Sequence, residues 1–212
     1  MGISDLRRDY QGTALTEDQV DPDPIRQFQR WFDEAVAAGQ ADVNSMTLAT
    51  VTPDGKPAAR TMLLKGIETG QFLFYTNYQS HKADELKTQP YAALVFWWNS
   101  LERQVRVAGK VCKTSRQNSE DYFKTRPRGS QLGACASPQS RVIESRTVLD
   151  AKLAQLKKQY QDKEVPCPEN WGGYQLEPDM VEFWQGLPDR LHDRLRYTRQ
   201  ADGSWQLQRL SP

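Results

Sequence analysis

The feature that most limits the fold of this 212-residue chain is a succession of short β-prone segments separated by turn-forming residues. After one helix, the segments SMTLATV, AARTMLLKGI and FLFYTN are divided by the turns PDGKP and ETGQ. Further β-prone segments run from YAALVFWW to the final WQLQRL and include GYQLEP and VEFWQG, which gives seven or eight strands. No strand-helix-strand rhythm repeats. We therefore predict a mainly β, α+β fold, an antiparallel barrel with packed helices.

Helical periodicity predicts four helices around these strands. In the first, Asp23 can cap the N-terminus, Pro24 suits the first turn and Gly39 ends the helix. The others are HKADELKTQ, ended by Pro90, then residues 115–125, and RTVLDAKLAQLKKQYQ. Residues 1–21 are polar and lack periodicity. The chain is accordingly divided into a mobile N-terminal arm, 1–21, and one domain, 22–212.

Composition and charge exclude several classes of partner. Lys plus Arg number 28 and Asp plus Glu 27, so we expect neither a nucleic acid nor a membrane as partner. The two histidines, His81 and His192, are too few for a multi-histidine metal centre, and we expect no metal. Cys112, Cys135 and Cys167 are odd in number and lack metal-ligand or redox spacing, which favours a reducing compartment. With no apolar signal core and no membrane-length apolar run, we expect a cytoplasmic protein.

The segment RTMLLK carries two candidate anion-binding side chains, Arg60 and Lys65. Side chains alternate along a strand, so these two project to opposite faces unless a bulge intervenes. We therefore expect them to serve different anions. The alternative is that both are surface charges whose aliphatic stems lie along the protein.

A second candidate cluster lies in YFKTRPRGS. Tyr122 and Arg126 are four residues apart at a helix end and share a face, and Ser130 follows in a loop that can fold back beside them. Two hydroxyls and a guanidinium form a cradle for one phosphate. The alternative is an exposed tyrosine and arginine pair with no ligand.

A third cluster lies in RLHDR, where Arg190, His192 and Arg194 alternate. On a strand all three side chains project from one face. Two arginines beside a histidine repel each other, which favours an anionic ligand between them. The alternative is that Asp189 and Asp193 neutralise the arginines at the surface.

Together these segments resemble the pyridoxamine 5'-phosphate oxidase family. The shared motifs are RTMLLK, FYTN, SHKA, LERQVRVAGK, YFKTRPRGSQLGA, residues 138–140, WGGY, EFWQG and RLHDR, in the family's order from LRRDY to the final RLSP. The resemblance implies an FMN-binding split β-barrel. It also implies a homodimer in which both subunits contribute to each of two sites.

The resemblance implies site residues as well, position by position. The implied FMN contacts are Arg60, Thr61, Met62, Leu63, Leu64, Lys65, Tyr75, Thr76, His81, Lys82, Gln104, Gln139, Ser140, Trp184 and Arg194. The implied substrate contacts are Lys65, Tyr122, Arg126 and Ser130 for the phosphate, Arg190, Leu191 and His192 near the reacting carbon, and Arg7, Arg8, Asp9 and Tyr10 in an N-terminal lid. In this assignment Arg190 and His192 are catalytic: Arg190 orients the substrate, and His192 accepts or relays the proton lost with the hydride.

The implied reaction converts pyridoxamine 5'-phosphate or pyridoxine 5'-phosphate to pyridoxal 5'-phosphate, a step of vitamin B6 salvage. A hydride passes from the exocyclic carbon to the flavin, and oxygen reoxidises the flavin with release of hydrogen peroxide. The imine formed from the amine is hydrolysed to the aldehyde. One departure is His81, where the family usually has an arginine beside Lys82, so we expect weaker or more pH-dependent FMN binding.

Three other functions stay open on the sequence. A flavin reductase would share the fold but does not need a substrate-phosphate cradle. A carrier would bind FMN or pyridoxal phosphate without turnover and would release no peroxide. A nucleic-acid-binding barrel is suggested by the aromatic residues on strands, and the near-zero net charge opposes it.

Overall fold

A computed structural model describes residues 2–6 and 8–212 of the chain. The strands in this part are β1 (Ser45–Val51), β2 (Pro57–Leu63), β3 (Gly66–Glu68), β4 (Gln71–Asn77), β5 (Tyr91–Trp98), β6 (Arg103–Lys113), β7 (Trp171–Gln185), β8 (Asp193–Arg199) and β9 (Trp205–Leu210). The helices are α1 (Pro24–Ala37), α2 (His81–Thr88), α3 (Arg116–Thr125), α4 (Arg128–Ala136) and α5 (Arg146–Gln159), with short 3-10 turns at Ile3–Asp5, Asn99–Leu101 and Pro188–Arg190.

The strands form one antiparallel sheet, as the turn-rich pattern predicts. Their order is β2-β1-β5-β6-β7-β4-β3, and β8 pairs with β7 on the same edge as β4, with β9 beyond it. Connections between neighbours are short where a hairpin joins them, and the helices fill the longer ones. The predicted α+β class, with an antiparallel sheet and packed helices, is confirmed.

The sheet curves back on itself where the chain crosses from β2 to β3. The backbone N–H of Leu64 donates to the carbonyl of Asn44, next to β1, at 2.8 Å. The N–H of Lys65 donates to the carbonyl of Leu73 on β4, also at 2.8 Å. Two consecutive residues thus bond to opposite ends of the sheet, and this crossing divides the single strand predicted from AARTMLLKGI. Lys65 is thereby held at the gap between β2 and β3.

The longest strand, β7, is one element where two were predicted, GYQLEP and VEFWQG. Its first part pairs with β4 and its last part with β8. Pro178, which has no N–H for a ladder, lies between these two pairings and opposite a register shift at Ala108 and Gly109 of β6. The strand continues through the proline because neither β4 nor β8 pairs with that position.

Helix α1 closes one side of the barrel. Its predicted cap is confirmed, because the carboxylate of Asp23 accepts the N–H of Ile25 at 2.8 Å. Phe28 and Trp31 are each 1% exposed, and the Trp31 ring packs edge-on against Phe183 of β7 at 5.1 Å between centroids. Burying each of these side chains contributes about 2–3 kcal/mol, so the apolar face of α1 fixes it on the sheet.

Helices α2, α3 and α5 lie where the sequence predicts them, whereas α4 was not predicted. Helix α3 ends at Thr125 because Arg126 precedes Pro127 and adopts an extended backbone with ψ of 146°. Ser130 then lies in the first turn of α4, not in the predicted loop. Two glycines in RGSQLGACA weaken the helical signal there. Of the helices in the described part of the chain, none is long and apolar enough to span a bilayer.

The N-terminal arm packs on the body over residues 8–21 without joining the sheet. The N–H of Gln11 donates to the Glu102 carboxylate at 2.7 Å, and the N–H of Leu15 donates to Asp193 at 2.8 Å. The Leu15 side chain is 6% exposed and belongs to the hydrophobic core. These contacts lay the arm across the β7 and β8 end of the barrel.

Candidate functional site

A cavity of about 670 Å³ opens beside the crossing from β2 to β3. It lies between β2 and β4 on one side and α3, α4 and the start of β7 on the other. The predicted site residues that line it are Thr61, Met62, Leu63, Lys65, Tyr75, Thr76, Tyr122, Arg126, Ser130 and Gln139. Asn77, Thr125, Pro127, Gly133, Ala134, Ser137 and Trp171 complete the lining and were not among the predicted residues.

The charge of this lining is entirely positive. Lys65 and Arg126 are its charged members, and none of the lining residues named above is acidic. Across the described residues, no three His, Cys, Asp or Glu side chains are grouped to hold a metal ion. The cavity is therefore suited to an anionic ligand held by side chains.

Four predicted phosphate ligands reach the cavity from three elements. Lys65 comes from the crossing, Tyr122 and Arg126 from the end of α3, and Ser130 from the first turn of α4. Pro127 stops α3 and lets α4 turn back, which brings Ser130 to the same lining. The predicted grouping is thus present in the structure, and its binding of phosphate stays a prediction.

Arg126 is a partly buried cation whose charge no described acidic side chain pairs. Its Nη1 atom is buried and has no hydrogen-bond partner within residues 2–6 and 8–212. Its guanidinium carbon lies 4.6 Å from the ring centroid of Trp171 and 5.5 Å from that of Phe123. Burial lowers the pKa of Arg126 below its usual range. An unsatisfied buried donor costs about 1–3 kcal/mol, more when charged, and a bound anion would remove that cost.

A second buried cation, Lys82, lies behind the cavity wall. Its Nζ donates to the hydroxyl of Thr76 at 3.3 Å, and that hydroxyl donates to the side-chain carbonyl of Gln139 at 3.0 Å. Burial, and next the charge of Arg60, lower the pKa of Lys82. The charged form of a partly desolvated lysine of this kind is stabilised when an anion binds beside it.

Arg60 does not line the cavity. Its guanidinium donates to the buried carboxylate of Glu85 at 2.8 Å and also contacts Thr50. The anionic partner of Arg60 is therefore the Glu85 side chain, whereas Lys65 faces the cavity. Among the other implied FMN contacts, Leu64 is buried in the core, whereas His81 and Ser140 are exposed next to Lys82 and Gln139 in the chain.

Five other residues implied by the resemblance form a second cluster, here called the Trp184 cluster. Its members are Tyr10, Gln104, Trp184, His192 and Arg194. The Trp184 ring lies 4.6 Å from the His192 ring and 5.5 Å from the Tyr10 ring, measured between centroids. Gln104 and Arg194 flank Trp184 on the neighbouring strands β6 and β8. The cavity lining includes none of the five.

The implied lid residues lie beside this cluster. Arg8 pairs with Glu102 at 3.6 Å, Asp9 is exposed, and Tyr10 covers Trp184. Arg7 lies outside the described residues. The role of these residues as a lid stays a prediction.

The prediction that Arg190, His192 and Arg194 share one strand face is wrong. Strand β8 begins only at Asp193, and Arg190 belongs to a 3-10 turn. Arg190 and the residue before it have φ of 62° and 56°, in the left-handed region, so the chain cannot be extended there. Asp193 pairs with Arg209 instead of with either arginine of the motif.

His192 follows this turn and is fixed by the backbone. Its Nδ1 accepts a hydrogen bond from the N–H of Leu187 at 3.1 Å. Burial, together with the charge of Arg190, lowers the pKa of His192 below its ordinary value. Leu191, between the two, is 70% exposed.

Arg194 is held by a residue that the sequence analysis missed, Glu182. Its Nε and Nη2 lie 2.9 and 2.8 Å from one Glu182 oxygen, and Nη1 donates to the carbonyl of Ser211 at 2.9 Å. Arg106 contacts the same carboxylate at 3.3 Å. The segment EFWQG contains the feature that could have predicted this pairing. Glu182 is a single acidic residue in an apolar strand, and a buried carboxylate needs cationic partners.

The cavity and the Trp184 cluster both face the outer side of the sheet. Along β2, β5 and β7, residues on this outer side alternate with residues turned toward the core. Those on the outer side include Thr61, Leu63, Trp97 and Trp184. Leu63 and Trp97 are 42% and 41% exposed, which is high for apolar side chains of this size. An outer sheet face with exposed apolar side chains and two separate polar clusters is suited to packing against another protein surface.

Two family models together match most of the chain. One, described as "Pyridoxamine 5'-phosphate oxidase", matches residues 32–160, and the other, "Pyridoxine 5'-phosphate oxidase C-terminal dimerisation region", matches residues 171–212. The chain is 54% identical over 212 residues to a pyridoxine/pyridoxamine 5'-phosphate oxidase from Cyanothece, covering 100% of this chain and 99% of the relative. It is 55% identical over 210 residues to one from Acaryochloris marina, covering 99% and 95%.

Solved structures share the fold. PhzG from Burkholderia lata, in complex with tetrahydrophenazine-1-carboxylic acid, has a TM-score of 0.89 at 28% identity, covering 95% of this chain and 100% of its own. A pyridoxamine 5'-phosphate oxidase-related FMN-binding protein from Nostoc punctiforme has a TM-score of 0.70 at 20% identity, covering 87% and 97%, and shows the fold alone. The predicted split-barrel fold is confirmed.

Proposed function

The chain belongs to the pyridoxamine 5'-phosphate oxidase family, and we propose that it oxidises pyridoxamine 5'-phosphate and pyridoxine 5'-phosphate to pyridoxal 5'-phosphate with FMN as cofactor. The observation that carries the proposal is the unpartnered Nη1 of Arg126 in a cavity lined by cations and no acid. Relatives more than half identical over their full length are named for this activity. The proposal includes a homodimer and a cytoplasmic location.

The residues present fit two phosphate-bearing molecules. The cavity volume lies within the 300–1,000 Å³ range usual for small-molecule sites. Lys82 donates to the hydroxyls of Thr76 and Ser80, at 3.3 and 3.5 Å, so an anion can take these bonds over. We assign Lys82 to the FMN phosphate, and Arg126 with Lys65 to the substrate phosphate.

The chain's own groups perform binding, orientation and proton placement. When bound, FMN would supply the two-electron redox chemistry that takes a hydride from the substrate and reduces oxygen to hydrogen peroxide. Lys65, Tyr122, Arg126 and Ser130 hold the substrate phosphate and so fix the distance of its reacting carbon from the rest of the site. Burial raises the pKa of Tyr75 to about 12, so its hydroxyl stays protonated in the cavity wall.

A complete site requires two copies of the chain. The cavity and the Trp184 cluster are separate within one protomer, yet both face the outer side of the sheet. Residues 171–212, which contain Trp184, His192 and Arg194, match the family's dimerisation region. We propose that the cavity of each protomer is completed by the Trp184 cluster of its partner, as expected for a two-fold interface.

The experiment that tests this function is a visible spectrum of the purified protein, followed by anaerobic addition of pyridoxamine 5'-phosphate. Flavin absorbance that bleaches and returns with peroxide when air is admitted supports the proposal. Flavin that bleaches with a reduced nicotinamide but not with the substrate would replace it with a reductase. Bound flavin that nothing bleaches would indicate a carrier. Pyridoxamine, which lacks the phosphate, is the matched control and should bleach the flavin only at far higher concentration.

The similarity to PhzG brings one rival substrate class, a reduced carboxylated tricycle. The identity to PhzG is 28%, against 54% to the Cyanothece oxidase, and the four side chains Lys65, Tyr122, Arg126 and Ser130 line one cavity, where they suit a compact anion. These observations favour the phosphate ester. Bleaching by tetrahydrophenazine-1-carboxylic acid without bleaching by pyridoxamine 5'-phosphate would reverse that choice.

A further inference from the structure

We propose that Trp171 is a positioning residue for the substrate phosphate: the face of its indole holds the guanidinium of Arg126 in the cavity. The inference rests on the proposed function, because it concerns how the phosphate ligand Arg126 is kept in place. No residue role was expected at Trp171 from the sequence beyond its place in the WGGY motif.

The guanidinium of Arg126 lies over the ring of Trp171. The guanidinium carbon of Arg126 lies 4.6 Å from the Trp171 ring centroid, within the distance of a cation–π interaction. Both side chains line the cavity. Trp171 is 5% exposed, so the aromatic partner of the contact is largely desolvated, which strengthens such an interaction.

The Trp171 ring is itself held in place by its neighbours. Trp171 is the first residue of β7 and pairs with Asn77 on β4. Its carbonyl accepts a hydrogen bond from Nη1 of Arg116 at 3.2 Å. The Phe123 ring packs against it at 5.1 Å, and the Tyr75 ring lies nearly parallel to it at 5.5 Å, measured between centroids. A platform held by the sheet and by two aromatic neighbours can define the position of a flexible side chain.

An aromatic partner, unlike a carboxylate, leaves the N–H donors of Arg126 free for a ligand. A carboxylate partner would neutralise Arg126 and occupy its N–H donors, and would compete with an incoming phosphate. A ring face attracts the cation and takes none of the in-plane donors. The unpartnered Nη1 agrees with this arrangement, since Arg126 is oriented while a donor stays available.

The test compares Trp171→Phe and Trp171→Leu with the wild-type holoenzyme. We expect Trp171→Leu to raise both the KM for pyridoxamine 5'-phosphate and the inhibition constant of inorganic phosphate by about 3- to 30-fold, with kcat within about twofold. Trp171→Phe should recover part of the loss, because it restores a ring face. The matched control is Trp205→Leu, which also removes an indole from an arginine, Arg199, 5.5 Å away and outside the cavity.

A double-mutant cycle keeps the inference testable if Trp171→Leu does not fold. In an Arg126→Ala background, Trp171→Phe should change the inhibition constant of phosphate no further, since its effect acts through Arg126. Equal constants for wild type, Trp171→Phe and any folded Trp171→Leu would overturn the inference. An equal loss for pyridoxamine, which has no phosphate, would overturn it too, as would a Trp171→Phe effect that persists without Arg126.

Failure of the proposed function is seen separately, in the wild type. A wild-type protein that does not oxidise pyridoxamine 5'-phosphate refutes the function. Phosphate binding can then still be followed by the rise in melting temperature that inorganic phosphate causes, in wild type and in both Trp171 variants. A rise that depends on Arg126 but not on Trp171 refutes only the positioning role.

Discussion

The backbone N–H of Leu187 donates to Nδ1 of His192 at 3.1 Å. A nitrogen that accepts this bond carries no proton, so the neutral imidazole has its hydrogen on Nε2. Because burial and Arg190 lower the pKa of His192, this neutral form prevails at pH 7. Nε2 therefore offers a donor to a substrate and has no free lone pair for a proton. We therefore propose a hydrogen-bonding role for His192 in place of the base role that the resemblance implies.

Two substitutions of His192 separate these roles. Glutamine can place an amide N–H near the position of Nε2, whereas asparagine can replace only the Nδ1 acceptor. We expect His192→Gln to keep kcat/KM within about tenfold of wild type and His192→Asn to lose about 10- to 100-fold. Steady-state peroxide release measures both. Equal losses in the two variants would restore the base hypothesis.

The lowered pKa of His192 also predicts how stability depends on pH. The folded protein binds fewer protons at this residue than the unfolded chain does, so its contribution is fully present above the ordinary pKa of about 6.5. That contribution is lost as pH falls through the lowered, folded value. Wild type should therefore lose melting temperature more steeply than His192→Gln between about pH 7.5 and pH 5. Parallel melting curves across this range would show that His192 does not couple folding to protonation.

Substitution of Arg126 should weaken binding without weakening the chemistry. Arg126→Ala removes charge-assisted bonds that are present in both ground and transition states, so we expect KM to rise about 10- to 100-fold at nearly constant kcat. Without phosphate, the melting temperature of Arg126→Ala should be close to that of wild type. The substitution removes the unpartnered Nη1, whose burial costs free energy in the folded protein. Arg126→Lys is the control that keeps the charge but not the planar fork. An unchanged KM for Arg126→Ala would count against the cradle.

Mixed dimers test whether each site is shared. Arg126→Ala damages the cavity and Arg194→Ala damages the Trp184 cluster, so each homodimer has two defective sites. Random exchange of the two variants makes about half of the dimers mixed, each with one intact site. At substrate concentrations well below the KM of Arg126→Ala, activity should therefore recover to about a quarter of wild type. The control is each variant carried alone through the same unfolding and refolding. No recovery in the mixture would place the whole site within one protomer.

FMN affinity should depend on pH through Lys82. Burial lowers the pKa of this lysine, and a bound phosphate favours its charged form, so binding takes up a proton once pH exceeds the lowered value. We expect the dissociation constant of FMN to rise with pH on the alkaline side, measured by flavin fluorescence. Lys82→Met should bind FMN more weakly and with a flatter dependence. If Lys82→Met matches wild type at every pH, the FMN phosphate is held elsewhere.

Local signals explain what the sequence predicted well. Asp23, Pro24 and Gly39 each act within a few residues, so the bounds of α1 followed from the chain alone. The grouping of Tyr122 with Arg126 followed from helical spacing in the same way. The turn at Arg190 could not be predicted in this way. The alternating residues of RLHDR also suit a strand, and a left-handed backbone at a non-glycine residue has no distinct sequence signature.

Contacts between distant elements explain what was missed. Trp171 and Arg126 are 45 positions apart, and Glu182 reaches Arg106 on one neighbouring strand and Arg194 on the other. Such pairs depend on the order of strands in the sheet, which a list of predicted strands does not contain. The split of the site into a cavity and the Trp184 cluster became visible only with that order.

That split has a consequence for how activity depends on the amount of protein. A solitary chain carries both halves of a site but cannot bring them together, so on the proposed arrangement it is inert. Well below the dimer dissociation constant, the number of working sites grows with the square of chain concentration. Dilution then lowers the activity per chain, and a modest change in expression produces a larger change in pyridoxal phosphate output.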